Sequence, residues 1–251
     1  MCSSDLYLDA GGRALVMADL QMSEEALQSV AALVRRYNVE LVRGVVIDQV
    51  SNFNNSIVNL LVENYPPHPI NEALRQGSEK ITLFPPSMGL RALTTTVGLG
   101  VTAVVQSSGG EGASWLETNL DNPAVQYNPG ADIPGPVNVA VAVAPPEASD
   151  TLTETQPLTQ TRLVVFGNVD FAGNSALQDT FFVSHNVDLF GNSVSWLTGQ
   201  NELVSIRPRE ASPRRNMTLD PAQRNLMFTA AALGLPLLVV LVGGAVWWRR
   251  R

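Results

Sequence analysis

Two histidines, one cysteine and one lysine bound the chemistry this chain can do. His68 lies between Pro67 and Pro69, a turn context that supports a general base poorly. His185 stands just before an apolar helical pattern and reads as a residue that caps or leads into the helix. Gly173-Asn174-Ser175 and Gly191-Asn192-Ser193 lack the closing glycine of a nucleophile elbow. Lys80 belongs to no phosphate-binding Gly-Lys-Ser/Thr loop. No HExxH pair or Cys/His cluster offers a metal site. An amidotransferase-like mechanism would need a cysteine on a sharp turn, and Cys2 is the only thiol. The expectation is a non-enzymatic protein with no catalytic, cofactor-binding or metal residues, and no cofactor.

Two polar groups remain as a candidate ligand groove. Asp170, Asn174 and Ser175 follow the apolar run Arg162–Phe166. Ser107, Ser108, Trp115 and Glu117 follow a second apolar run. Ligands of α/β sheets usually bind at strand C-terminal ends, so these residues could line a polar groove for a carbohydrate or an envelope protein. The same residue types favour turns without any ligand. The spacing of Asp170 and Asn174 matches no calcium loop.

The elements that must position these residues read as alternating strands and helices. Tyr7–Leu20 predicts a helix end, a Gly11–Gly12 cap and a strand Ala14–Ala18. Ser23 followed by Glu24 and Glu25 opens a helix whose stripe is Ala26, Val30, Leu33 and Val34. Val39–Asp48 predicts the next strand, and this order implies a parallel unit. Further strands fall at IVNLLVENY, KITLF, Thr94–Ser107, Val137–Val143 and Arg162–Phe166, with a short helix at HPINEAL. A helix Val187–Leu197 has Val187, Phe190, Val194 and Leu197 on one face and ends at Gly199. Residues 121–136 and 145–160 read as loops, the latter flexible. About six strands with intervening helices predict an α/β fold: a flavodoxin-like or amidotransferase-like doubly wound, mainly parallel sheet.

The tail predicts a transmembrane helix. Residues 226–248, from Leu226 to Trp248, carry no charge and are followed by Arg249, Arg250 and Arg251. As a helix they would extend roughly 34 Å, enough for a bilayer core of about 30 Å. Trp247 and Trp248 would sit at the headgroups, and the three arginines would face the cytoplasm. That places the chain in the bacterial cytoplasmic (inner) membrane with a single span, its body outside and its C-terminus inside. Asp220-Pro221 would start the helix, giving an outer region 7–219 and an anchor region 220–251. The net charge is −7 and the tail arginines contribute +3, so the rest carries −10, which argues against nucleic acid as a partner. Residues 1–6 contain CSSDL, which the end of a common sequencing adapter encodes. They read as an artefact fused to a truncated reading frame, which would make Cys2 non-biological.

Several stretches together resemble one family. They are YLDAGGRALVMAD, PPHPINEAL, QSSGGEGASWLET, YNPGADIPGPVNVAVAV, LVVFGNVDFAGNS, NVDLFGNSVSWLTGQNELVSIRPRE and the tail ending WWRRR. The pattern is similar to the GldG family, the gliding-motility-associated auxiliary component of ABC-2 type transport systems, and it covers residues 7–251. The resemblance implies an anchored accessory subunit with ABC-2 permease and ATPase subunits and the lipid bilayer as partners. This chain would be its C-terminal portion. The alternatives are an extracytoplasmic ligand-binding sensor or scaffold, and a membrane-anchored hydrolase.

Overall fold

The computed structural model describes residues 3–76, 80–94, 98–110, 112–120, 125–145, 161–173, 185–199, 229 and 235–250. The chain forms two compact units, Met1–Ile206 and Arg207–Arg251.

In the first unit, helix α1 (Ser3–Asp9) leads through a left-handed Gly11 into strand β1 (Arg13–Met17). Helix α2 (Glu24–Arg35) begins where Ser23 Oγ accepts the Ala26 N–H at 3.3 Å, and it buries Leu27 and Val34. The expected strand Val39–Asp48 is two strands, β2 (Val39–Val42) and β3 (Val45–Asp48), in different sheets. Gly44 makes the switch possible, because a Cβ there would sit 2.6 Å from the Glu117 carbonyl oxygen.

Strands β4 (Asn52–Phe53), β5 (Ser56–Val62) and β6 (Thr82–Phe84) form a three-stranded antiparallel meander. Its first turn is a two-residue hairpin with Asn54 and Asn55 both at positive φ, the backbone a type I′ turn requires. A 3₁₀ turn (Pro69–Asn71) and α3 (Glu72–Arg75) interrupt the meander. The remaining strands are β7 (Gly89–Ala92), β8 (Gly100–Gln106), β9 (Ser114–Glu117), β10 (Ile133–Pro134), β11 (Asn138–Ala144) and β12 (Arg162–Phe166). Helix α4 (Asn186–Thr198) closes the unit and ends at Gly199 with φ 76°.

The expected doubly wound parallel sheet is not formed. The main sheet runs β1-β12-β11-β7-β2 with β8 also on β11, and only β1–β12 is parallel. The strand–helix–strand order from β1 to β2 carries the chain to the opposite end of that sheet, where β2 pairs antiparallel with β7. Twelve strands in three mostly antiparallel sheets replace the six expected, among the described residues. The misleading signal has a physical cause. Unbroken apolar strands usually mark parallel sheets covered on both faces, and here antiparallel strands are covered on both faces too. Leu163, Val165, Val141 and Val143 face Leu8 of α1, Val34 of α2 and Tyr37 just beyond it. Val164, Phe166, Ala140 and Ala142 face Leu189 and Trp196 of α4 and Leu60, Val62 and Phe84 of the meander.

In the second unit, helix α5 is described over Leu235–Arg250. Among the described residues no helix is long and apolar enough to cross a membrane. This overturns the expected transmembrane helix and the single-span inner-membrane placement built on it. Leu226, Arg251 and the expected start at Asp220-Pro221 lie outside the described residues, as does the loop 145–160 from 146 onward.

Candidate functional site

The two strand ends singled out in the sequence do lie at one end of one sheet. Ala140 of β11 pairs with Val105 on one side and Phe166 on the other. The ends of β8 and β12 are thus two strand spacings apart, about 10 Å. Their chemistry differs.

The turn after β12 is stitched into the scaffold. Asn168 donates to the Pro86 carbonyl at 3.0 Å and accepts the Phe171 N–H at 2.7 Å. Asp19, at the end of β1, accepts the Gln21 N–H at 2.8 Å and reaches the Val169 N–H at 3.5 Å. Gly167 packs against the Met88 backbone, where any Cβ would collide. Asp170 is exposed in a 3₁₀ turn (Asp170–Ala172). Asn174 and Ser175 lie outside the described residues.

The turn after β8 borders a cleft of about 530 Å³, within the roughly 300–1,000 Å³ usual for small-molecule sites. One wall runs from Leu61 to Pro66, the end of β5 and the segment beyond it; the other is Gln106 to Gly109, with Val50, Ser51 and Pro136 completing the lining. A buried carboxylate ties one wall to Val50 and Ser51, and Ser51 Oγ carries the link to Leu61 of the other. Asp48 Oδ1 accepts the Val50 and Ser51 N–H groups at 3.0 and 2.9 Å, and Oδ2 accepts the Ser108 N–H at 2.7 Å. Ser107 Oγ lies 2.7 Å from Ser114 Oγ and accepts the Val137 N–H at 2.8 Å. Tyr65 turns its hydroxyl away from solvent, toward the Val62 and Lys80 carbonyls and Thr82, and burial pushes its phenol up to about 12.

Of the expected groove residues, Ser107 and Ser108 line this cleft. Trp115 is buried in β9 with its ring 5.9 Å from Tyr127. Glu117 is buried as well, accepting the Trp115 indole N–H at 3.3 Å and the Asn119 N–H at 3.1 Å. These two are core groups rather than ligand groups. The sequence reading missed Asp48, Glu63 and Gln106; the Asp48 signal was an acid at a strand end followed by Ser51 and Asn52, an Asx-turn pattern.

His68 is bound into the scaffold. His68 Nδ1 accepts the Ile70 N–H at 3.2 Å and caps the 3₁₀ turn, with its ring edge-on to Trp196 at 5.1 Å. Burial, and after it the charge of Arg162, push its imidazole down to about 4. His185 stands at the N-terminus of α4, as expected, without a side-chain cap bond. Arg162 lies over the Trp196 ring at 4.8 Å and donates to the Trp196 carbonyl at 2.7 Å, while Arg13 donates to the Leu197 carbonyl at 2.5 Å. Arg13 and Arg162 are register partners, so the two parallel strands present paired cations to the negative end of α4.

In the second unit Trp247 and Trp248 are exposed, 58% and 79%, with Arg249 and Arg250 closing α5.

Fold and cleft together define a mixed α/β domain, mainly antiparallel, with a polar pocket at one sheet end. No protein-family model and no curated protein matches the chain. Among solved structures it is similar to the "mmIFT52 N-terminal domain", at 15% identity over 76% of this chain and 67% of that one, with a TM-score of 0.47.

Proposed function

We propose that the chain is a non-catalytic binding subunit of an ABC-2 type transport system, similar in role to the GldG family. Its cleft engages a substrate or partner while separate permease and ATPase subunits do the transport. The observation that carries this reading is the cleft itself, an open polar pocket in which the buried Asp48 carboxylate ties Ser108 to Ser51, and Ser51 in turn bonds Leu61 of the other wall. A binding site needs such preorganisation. The hydroxyls beside it bond to each other and to backbone, and His68 is committed to its cap. That arrangement suits recognition better than hydrolysis. The resemblance of FGNVDFAGNS and NVDLFGNSVSWL to the GldG pattern supplies the transport context.

The test is co-purification of the tagged full chain from cells expressing it with the genes that flank its own. The expected result is recovery of an ABC-2 permease and an ATPase. Recovery of neither, with no such genes adjacent, overturns the reading.

A further inference from the structure

We propose that the cleft selects a cationic amine, a primary ammonium or guanidinium on a slender stem; this rests on the reading of the cleft as a binding site. The inference comes from which hydrogen-bonding groups the protein has already used. Ser51 Oγ donates to the Leu61 carbonyl at 2.7 Å. Gln106 Nε2 donates to Asn138 Oδ1 at 2.8 Å, which leaves the amide oxygen as the group to offer. The Tyr65 hydroxyl is turned inward, and the Ser108 N–H is held by Asp48. The Ser51, Gln106 and Tyr65 donors are thus committed within the protein, and the Asn64 amide and Ser108 hydroxyl, which can each donate or accept, complete the polar lining.

Charge points the same way. Glu63 is exposed on the lining, and among the described residues no lysine, arginine or histidine accompanies it there. Tyr65, the other ionisable group of the lining, stays neutral well above physiological pH. The Glu63 carboxylate, with the Gln106 amide oxygen on the same lining, favours a ligand that brings N–H donors and a positive charge. An anionic ligand would meet Glu63 with no cation on the lining to offset it. Leu61, Val62 and Pro66 supply apolar surface for an aliphatic stem.

The shared chemistry has two sources, a free polyamine and a lysine or arginine side chain of a peptide. Amide chemical shifts of the isotopically labelled full chain separate them on titration with spermidine, N-acetyl-lysine methylamide, N-acetyl-arginine methylamide and the neutral disaccharide maltose. The expected result is that amines move the Val62–Asn64 and Gln106–Gly109 resonances, and that Glu63→Gln weakens binding about fivefold. Added salt weakens it further. Tighter binding of spermidine assigns a free amine, and tighter binding of the acetylated residues assigns a peptide side chain; either supports the proposal. Equal binding to Glu63→Gln, or shifts confined to other surfaces, overturns it. If maltose moves the cleft resonances and no amine does, the cationic preference is wrong while the cleft stands as a site. If no probe moves them, both readings fail.

Discussion

Asp48 is the residue on which the candidate site depends most. Its carboxylate accepts three backbone N–H groups of the cleft lining, those of Val50, Ser51 and Ser108, while itself buried. Asp48→Asn removes the charge and replaces one acceptor oxygen with a donor, so at least one of those N–H groups loses its partner. The expected cost is about 1–3 kcal/mol. Denaturant unfolding checks the cost, and faster amide exchange at Val50, Ser51 and Ser108 checks the mechanism; unchanged exchange there would remove Asp48 from this role. His68 makes a second prediction, through pH. Its folded pKa of about 4 lies below the ordinary 6.5, so protonation favours the unfolded chain. Its contribution is complete above pH 6.5 and is lost as pH falls through 4. The loss is at most about 3 kcal/mol, reduced by the solvent that reaches a half-buried ring. Comparing unfolding free energies of the wild type and His68→Gln between pH 7 and 4 isolates it, the variant losing less stability on acidification. Trp115 and Glu117 show why the site was only partly legible. Polar and aromatic residues after a strand look alike whether they line a groove or, as here, close a buried bond between themselves.

Elements were more legible than their faces. β12 begins and ends at the expected residues, and α4 ends at the expected glycine. Its buried side is another matter. Val187 and Val194, expected in the core, are 54% and 40% exposed, and α4 instead buries Asn186, Leu189, Asn192, Ser193, Trp196 and Leu197. An apolar count cannot find this face, because three of its members are polar and work by hydrogen bonds. The Asn186 amide accepts the Leu83 N–H at 2.9 Å and donates to the Leu83 and Phe171 carbonyls, each at 2.8 Å, so one side chain extends β6 as a strand would. Asn192 donates to the Ile70 carbonyl at 2.9 Å. These are the asparagines of the NVDLFGNSVSW stretch, and they hold α4 to the 3₁₀ turn and the meander. Asn186→Leu leaves the part-buried Leu83 N–H and carbonyl and the buried Phe171 carbonyl without that partner. The expected destabilisation is about 2–4 kcal/mol, well above that of Val194→Ala on the exposed side, which is within about 0.5 kcal/mol. Thermal unfolding of the pair checks the assignment of the face; equal effects would refute it.

The order of strands in the whole molecule was the least legible level. Alternating burial states which residues face each layer but not which strand lies beside which, and the helices between strands suggested crossovers that the pairing does not contain. The pairing has consequences for how the chain folds. β4 and β5 join through the two-residue Asn54-Asn55 turn, and β6 adds to them as the next strand. β1 and β12 pair across about 150 residues of chain, a closure whose entropy is met before its contacts form. Folding rates fall as such non-local contacts dominate. The meander should therefore be structured in the folding transition state and the β1–β12 pair should form after it. Leu60→Ala and Val164→Ala each empty a fully buried position on the same core face, and each should destabilise by about 1–4 kcal/mol. The difference lies in the rates. Leu60→Ala should slow refolding by most of its equilibrium cost, whereas Val164→Ala should leave refolding nearly unchanged and speed unfolding. Stopped-flow refolding and unfolding across denaturant measures both limbs. A Val164→Ala variant that refolds slowly, with its unfolding rate unmoved, would place the long-range pair in the nucleus and reverse this order.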